Sequence, residues 1–378
     1  MNSRFFVFLA IVATVLGLSA FYVGMRFIAW STWAGAHRGI VWMALALVVG
    51  VQFLGPYLYR VVPDRTNRFF ILHWIVYMTL GVLASVTLYT AFADVLTALL
   101  APAGITGDAE PWIVGALLFG TIVIGGVQAI SAPRVYQIEI PIANLAPAFD
   151  GYRLAQLSDV HLGPTLGRKF LERAVATVNT LVPDAVALTG DFVDGTVSRL
   201  REAVAPLADI RARDGIYFVP GNHEYYWGAP AWLDEFRRLG ARTLLNEHVV
   251  VARGGAALVL AGVTDHSAGH MVAGHVCDPH KALRGAPADA PRVVLAHHPA
   301  SFRAIADAGA DLQLSGHTHG GQFFPFSLLV KLTHRYYKGL RRHGRLWIYV
   351  SRGAGYWGPP LRFGVPAEVT LIVLRVAQ

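Results

Sequence analysis

The chain has 378 residues, of which 54% are hydrophobic and 15% charged, with a formal net charge of +8. A composition this apolar excludes an ordinary soluble globular protein and directs attention to membrane segments. No run of Lys and Arg marks a nucleic-acid tract, so no specific nucleic-acid partner is expected, and the single cysteine, Cys277, excludes a disulfide within the chain.

Four apolar runs occupy the first third: Phe5 to Met25, Ile40 to Tyr59, Phe69 to about Ala93, and Trp112 to Ile130. Each has about the length that crosses a hydrocarbon core. The first is longer than a signal-peptide core and is followed by further runs, so it reads as an anchor. Residues 1–134 are therefore expected to form a four-helix transmembrane anchor in a cell inner membrane, with the bilayer as a partner. If the N-terminus is cytoplasmic, Arg4, Arg60, Arg65, Arg68 and Arg134 lie inside, and Arg26 and Arg38 lie outside with Asp94, Asp108 and Glu110. That bias puts everything after Arg134 in the cytoplasm. His73 and Asp94 fall near span ends, which argues against a charged transport pathway.

After Arg134 short apolar strands alternate with amphipathic stretches and Gly/Pro turns, an α/β pattern expected to make one domain over 135–378. "YRLAQLSDVH" is a strand ending in Asp159 and His161. "GRKFLERAVATVNTL" is a helix, and "DAVALTGD" a strand ending in Asp191. A helix over Arg199 to Arg211 leads to "GIYFVPGNHE", and another covers Ala231 to Leu239. "AALVLAGVTD", "RVVLAHHP", "DLQLSGHTH", "RLWIYVSRG" and "AEVTLIVLRV" supply further strands.

Five times a strand runs straight into Asp, Asn or His. Ligand sites in open α/β sheets form beyond the carboxyl ends of strands, so Asp159, His161, Asp191, Asn222, His223, His297, His317 and His319 are expected to converge. Each alone reads as a turn or solvated residue; the set does not. Carboxylate, imidazole and amide without thiolate suit Mn, Fe or Zn better than Ca or Mg. So many donors suit two divalent ions bridged by a carboxylate and a water, the arrangement that makes hydroxide available for attack on a phosphate ester. On an extended backbone His317 and His319 would point the same way, each toward a different ion. Gly316, Gly320 and Gly321 give that segment its freedom to turn.

The blocks D-x-H (Asp159, His161), G-D-x-x-D (Gly190 to Asp194), G-N-H-E (Gly221 to Glu224), the lone His297 and G-H-x-H (Gly316 to His319) resemble the calcineurin-like metallophosphoesterases. "SDVHLG" and "GHTHGGQ" are most similar to the bacterial membrane-associated branch, which resembles UDP-diacylglucosamine hydrolases. The resemblance implies an αββα sandwich. It implies that Asp159, His161 and His319 hold one metal and that Asn222, His297 and His317 hold the other, with Asp191 bridging. His223 would protonate the leaving oxygen or stabilise the transition state, Glu224 would orient it, and Asp194 would support the site without being a ligand. His297 is preferred to His298 because it falls two before Pro299.

The expected function is a membrane-anchored two-metal phosphohydrolase, acting on a phosphate ester or pyrophosphate of a lipid-linked substrate. Two others stay open: a phosphodiesterase on a soluble nucleotide or other soluble phosphoester, and a non-enzymatic metal-binding membrane regulator. His266, His270, His275 and His280, with Cys277, crowd a Gly-rich loop without regular zinc spacing and read as a surface loop over the site. "EYYWG" and "QFFPF" set aromatics beside the catalytic blocks. Arg335, Lys338, Arg341, Arg342 and Arg345 read as a solvated basic face.

Overall fold

A computed structural model describes residues 3–61, 70–104 and 107–377. Arg65 and Arg68, which entered the charge argument, lie outside the described residues. The chain divides into two compact units, one of Met1–Gln128 with Phe323–Phe326 and Gly358–Gly364, the other of the remainder.

The first unit holds α1 (Ser3–Trp30), α2 (Thr32–Ala36), α3 (Arg38–Val61), α4 (Phe70–Leu100) and most of α5 (Glu110–Ile130). Leu16, Ala20 and Leu83 are buried between α1, α3 and α4. Leu18, Leu47, Ile71 and Phe119 are exposed on the outside, the pattern a lipid solvent permits and water does not. Among the described residues three helices are long and apolar enough to cross a membrane: Leu9–Trp30, Phe70–Ala103 and Gly107–Ile130. The expected count of four is corrected to three. In α3 the described apolar stretch is Arg38–Leu54, too short to count among them.

Helix α3 nevertheless runs antiparallel to α1 and α4. Phe21 of α1 stacks on Trp42 near its start at 5.6 Å, and Gln52 near its end donates to Thr79 Oγ1 of α4 at 2.8 Å. Helices α1 and α4 are therefore parallel. Near their common end Tyr22 donates to Asp94 at 2.5 Å, and Arg26 pairs with Asp94 and with Glu110 at the start of α5. The beginning of α1 and the end of α5 consequently share the opposite end of the bundle.

The second unit contains twelve strands: β1 (Arg134–Ile142), β2 (Tyr152–Leu157), β3 (Ala185–Leu188), β4 (Ile216–Phe218), β5 (Arg242–Thr243), β6 (Glu247–Arg253), β7 (Ala256–Gly262), β8 (Arg292–Leu295), β9 (Leu312–Ser315), β10 (Gly339–His343), β11 (Leu346–Val350) and β12 (Glu368–Val376). They form two six-stranded sheets, ordered β1-β12-β2-β3-β4-β5 and β10-β11-β9-β8-β7-β6. Strands β2 to β5 are mutually parallel, as are β7, β8, β9 and β11. Alternate residues build three layers of core. Leu154, Ala187, Leu260, Leu295 and Leu314 meet between the sheets. Ala155, Leu157, Val186 and Leu188 face α6 (Arg168–Thr180), α7 (Val197–Val204) and α9 (Ala229–Arg238) on one side, with α8 (Asn222–Tyr226) just before α9. Val259, Val294 and Ile348 face α10 (Pro279–Ala282) and α11 (Phe302–Asp307) on the other. Strands buried on both faces read as continuous apolar runs, which is why the central ones were legible.

The expected αββα sandwich is thus the observed one. The helix expected over Arg199 to Arg211 is shorter: it ends at Val204, because Pro206 tightens the next turn into 3-10 geometry over Ala205–Asp209.

Candidate metal centre

The centre is assembled from the loops that leave the carboxyl ends of parallel strands. After β2 come Asp159 and His161, after β3 Asp191, and after β4 Asn222 and His223. From the other sheet, His297 follows β8, and His317 and His319 follow β9. Five of these residues have positive φ: Asp159 at 54°, His161 at 52°, Asp191 at 56°, His317 at 72° and His319 at 50°. Non-glycine residues rarely adopt that region, and each such residue stores strain. The loops are laced together by the carboxylates. Asp159 accepts from the His317 N–H at 2.7 Å, and Asp191 accepts from the His223 N–H at 2.9 Å. Gly316 has to be glycine for this approach, since a Cβ there would run into the Asp159 carboxylate and Ser158 Oγ.

Of four groups of potential ligands, two hold the expected ligands, Asp159 with His161 and His319, and Asp191 with His297 and His317; the others are His161 with Asp194 and His223, and His298 with His317 and His334. In the first, the Nε2 atoms of His161 and His319 face each other at 3.0 Å, and His319 Nε2 stands 3.6 Å from Asp159 Oδ1. In the second, His297 Nε2 is 3.1 Å from Asp191 Oδ2 and 3.2 Å from His317 Nδ1, with Asn222 Oδ1 3.0 Å from the latter. Asp191 Oδ2 also lies 3.8 Å from His161 Nε2, so it faces both groups. His317 and His319 do face different groups, but not from an extended backbone: both have left-handed φ and lead into the turn at His319–Gly321.

Two tautomers show what the donor set fits. His297 Nδ1 donates to the Thr189 carbonyl at 2.8 Å, and His161 Nδ1 faces Asp194 Oδ2 at 3.2 Å. In each neutral ring the inner Nε2 is then a lone pair, aimed at other nitrogens and carboxylates. Asp159 Oδ2 is buried and accepts no hydrogen bond, while Ser158 beside it donates to the Thr189 carbonyl. Facing lone pairs and an orphaned buried carboxylate oxygen repel one another unless cations lie among them, so the donors fit divalent metal ions. Burial raises the Asp159 carboxyl. For Asp191 burial acts in the same direction, but the His297 and His223 imidazoles outweigh it and hold the carboxyl well below its usual range.

His223 stands beside the groups. Its Nδ1 bonds to Asp194 Oδ1, and its ring meets that of His161 edge-on at 4.6 Å. Burial drives this imidazole down, but the charges of Asp191 and Asp194 outweigh burial and lift it to about 9. Asp194, not the expected Glu224, is thus the carboxylate that meets the His223 ring. The buried Glu224 carboxylate is spent on backbone: it accepts from the N–H groups of Gly221 at 2.7 Å, Asp191 at 2.9 Å and Phe192 at 2.7 Å, tying two ligand loops together. His297 is the inner member of its pair. His298 accepts the Ala300 N–H at 3.0 Å, and its ring lies tilted against that of His317, the centroids 4.1 Å apart.

Two further aromatics line the centre: Tyr226 and Trp357, whose rings lie 5.2 and 5.8 Å from that of His223. Tyr226 sits in the noted "EYYWG" block. No motif pointed to Trp357, whose backbone is clasped by the Gln322 side chain at 2.9 and 3.0 Å. Among the described residues, His266, His270, His275 and His280 enter no group of three potential ligands.

A family model of calcineurin-like phosphoesterases matches residues 152–321. A Danio rerio "Transmembrane protein with metallophosphoesterase domain" is 40% identical over 263 residues, 68% of this chain and 60% of that protein. Its Bos taurus namesake is 40% identical over 266 residues, with the same shares. An "Uncharacterized metallophosphoesterase" of Helicobacter pylori (strain J99) is 38% identical over 259 residues, 68% of each chain. The match thus spans well under two thirds of the vertebrate relatives' length.

Proposed function

The chain belongs to the calcineurin-like metallophosphoesterases, and from that premise we propose that it is a membrane-anchored phosphohydrolase working with two divalent metal ions. The observation that carries this reading is the pair of ligand groups facing one another across Asp191. Asp159, His161 and His319 would hold one ion and Asn222, His297 and His317 the other, with Asp191 between them. When bound, the two ions supply hydroxide near neutral pH and neutralise the charge on the phosphoryl oxygens. His223 supplies a proton to the leaving oxygen, held in orientation by Asp194 through Nδ1. Asp194 also fixes the His161 tautomer, so one carboxylate serves both a ligand and the acid.

We further propose an anchor over 1–134 and a catalytic domain over 135–378 that acts on a lipid-linked ester or pyrophosphate. Apolar spans in the same chain support it, because a tethered enzyme and an embedded substrate share one surface. A cytoplasmic position for the domain is supported by the bundle's charge. Arg26, at the end shared by α1 and α4, is neutralised by Asp94 and Glu110. Correcting the span count leaves this intact, because α1 begins and α5 ends on the same side.

The test is metal-dependent hydrolysis of bis-p-nitrophenyl phosphate and p-nitrophenyl phosphate by the purified chain with Mn²⁺, and Asp191→Asn as control. Turnover that needs metal and vanishes in the control is expected. A protein that holds two metals and cleaves neither these esters nor liposome-embedded UDP-diacylglucosamine would sink the enzyme reading. Fast turnover of a soluble nucleotide with none of the embedded lipid would sink the lipid-linked one.

A further inference from the structure

Helix α12 (Phe326–Thr333), a few residues beyond His319, is built the wrong way round for a helix in water. None of its residues is buried, and Leu328, Leu329 and Leu332 are 51%, 43% and 83% exposed. On helical spacing these three share one face with Phe326, while Ser327 and Lys331 lie on the other. Compare α6, which turns Phe170, Leu171, Ala174, Val175 and Val178 into the core. A concentrated apolar face on a short surface helix marks a partner.

We propose that α12 is an interfacial helix that lies in the membrane surface, with its leucine face among acyl chains and the cations beside it on lipid phosphates. Two observations select lipid as the occupant. The first is charge. Lys331, Arg335 and Lys338 make no ion pair among the described residues; Arg335 lies over the Phe302 and Tyr336 rings and Lys338 over that of Tyr337. Unneutralised cations flanking an apolar face complement an anionic headgroup layer. The second is continuity. The segment that leads into α12 is built into the helical unit: Phe323 is buried with Met78 of α4 and Leu361, and Tyr89 of α4 donates to the Phe324 carbonyl at 3.1 Å. The face is thus continuous in the chain with the unit that carries the spans. The basic stretch beginning at Arg335, read from sequence as a solvated face, becomes in part a headgroup contact. The inference rests on the spans crossing a bilayer and is independent of the reaction catalysed.

The test places a nitroxide at position 332 in the full-length Cys277→Ser/Leu332→Cys protein, in nanodiscs of phosphatidylethanolamine and phosphatidylglycerol. Position 332 is too exposed for the label to disturb folding. A Cys277→Ser/Asp234→Cys label, on exposed α9, serves as the aqueous reference. Collision with oxygen relative to a water-soluble nickel chelate is expected to be higher at 332 than at 234, and to fall when Lys331→Gln and Arg335→Gln are added. Equal ratios at 332 and 234 would overturn the proposal. So would spin–spin broadening at 332, which would mean that a second copy covers the face. Failure of the chain to enter nanodiscs would remove the anchor itself, a different outcome from an aqueous label on an inserted protein.

Discussion

Replacing Asp194 by Asn keeps the side chain's shape and removes its charge. His223 should respond directly, because its Nδ1 bonds to Asp194 and its imidazole is lifted from 6.5 to about 9 against the effect of burial. That lift is worth about 3 kcal/mol. Asp191 and Asp194 share it, and Asp194 contributes both a charge and a hydrogen bond. An opposite charge at this range moves a pKa by about 1–3 units, so the variant imidazole should fall by about 1–2 units. An acid works only while protonated. The alkaline limb of kcat should therefore move to lower pH by the same amount. Bound cations depress the limb in both proteins, so the difference between the two is the quantity that decides. The His161 tautomer loses its partner as well, and metal affinity or activity should drop about 10–100-fold. The assay is kcat for bis-p-nitrophenyl phosphate from about pH 5.5 to 10.5 in both proteins, with metal content measured at each pH. Without metals, NMR titration of the His223 ring follows the same shift. A variant that is slower but keeps its alkaline limb within about 0.3 units of wild type would refute the assignment of Asp194 to His223. The linkage has a matching sign. A raised imidazole stabilises the fold below about pH 6.5, and that contribution is lost as pH climbs through about 9. Asp194→Asn should flatten this slope.

Glu224→Gln should act on stability and metal retention together. An amide can accept from at most two of the three N–H groups that the carboxylate now satisfies, leaving a buried donor at a cost of about 1–3 kcal/mol. For a domain of this size that lowers Tm by roughly 2–12 °C in differential scanning, and an unchanged Tm would count against the clamp. Gly316→Ala should strip metal from the group around Asp159, because the new Cβ occupies the space of that carboxylate. Metal analysis should show loss with helix and sheet content retained by circular dichroism, and full occupancy would contradict the close approach.

What could be read without coordinates was periodic or local. Strands such as Ala185–Leu188 and Arg292–Leu295 announced themselves as short apolar runs ending in Asp or His, because parallel strands buried on both faces need apolar residues at every position. The convergence of the candidate donors was legible for the same reason: each follows its strand within five residues. Three things were not. Strand β6 pairs antiparallel with β7, yet its exposed face breaks the apolar run, so His248, Val250 and Ala252 did not read as strand. The span count was read as four, whereas three helices among the described residues are long and apolar enough to cross a membrane. The exchange of roles between Glu224 and Asp194 was invisible because adjacency in sequence suggested contact. Position N3 of a short helix turned the Glu224 carboxylate back onto backbone N–H groups, leaving Asp194, 29 residues away, to meet the imidazole.

The positive-φ residues join these strands of argument. Asn144, Val182, Asn246 and Gln322 are the other non-glycine residues with positive φ among those described, so more than half of such backbone in the chain lies at expected ligands. Strain of that kind persists only where surrounding structure over-determines it. Here the surroundings are specific: the Asp159 and Asp191 carboxylates grip the His317 and His223 N–H groups, and Glu224 grips three more. Each carboxylate that ties one loop to the next also turns an oxygen toward the ligand groups or stands behind them. Loop geometry and donor geometry are thus set by the same side chains. A substitution meant to remove a ligand at Asp159 or Asp191 will also release a loop, and neutral Asn, which still accepts one N–H, separates the two effects better than Ala.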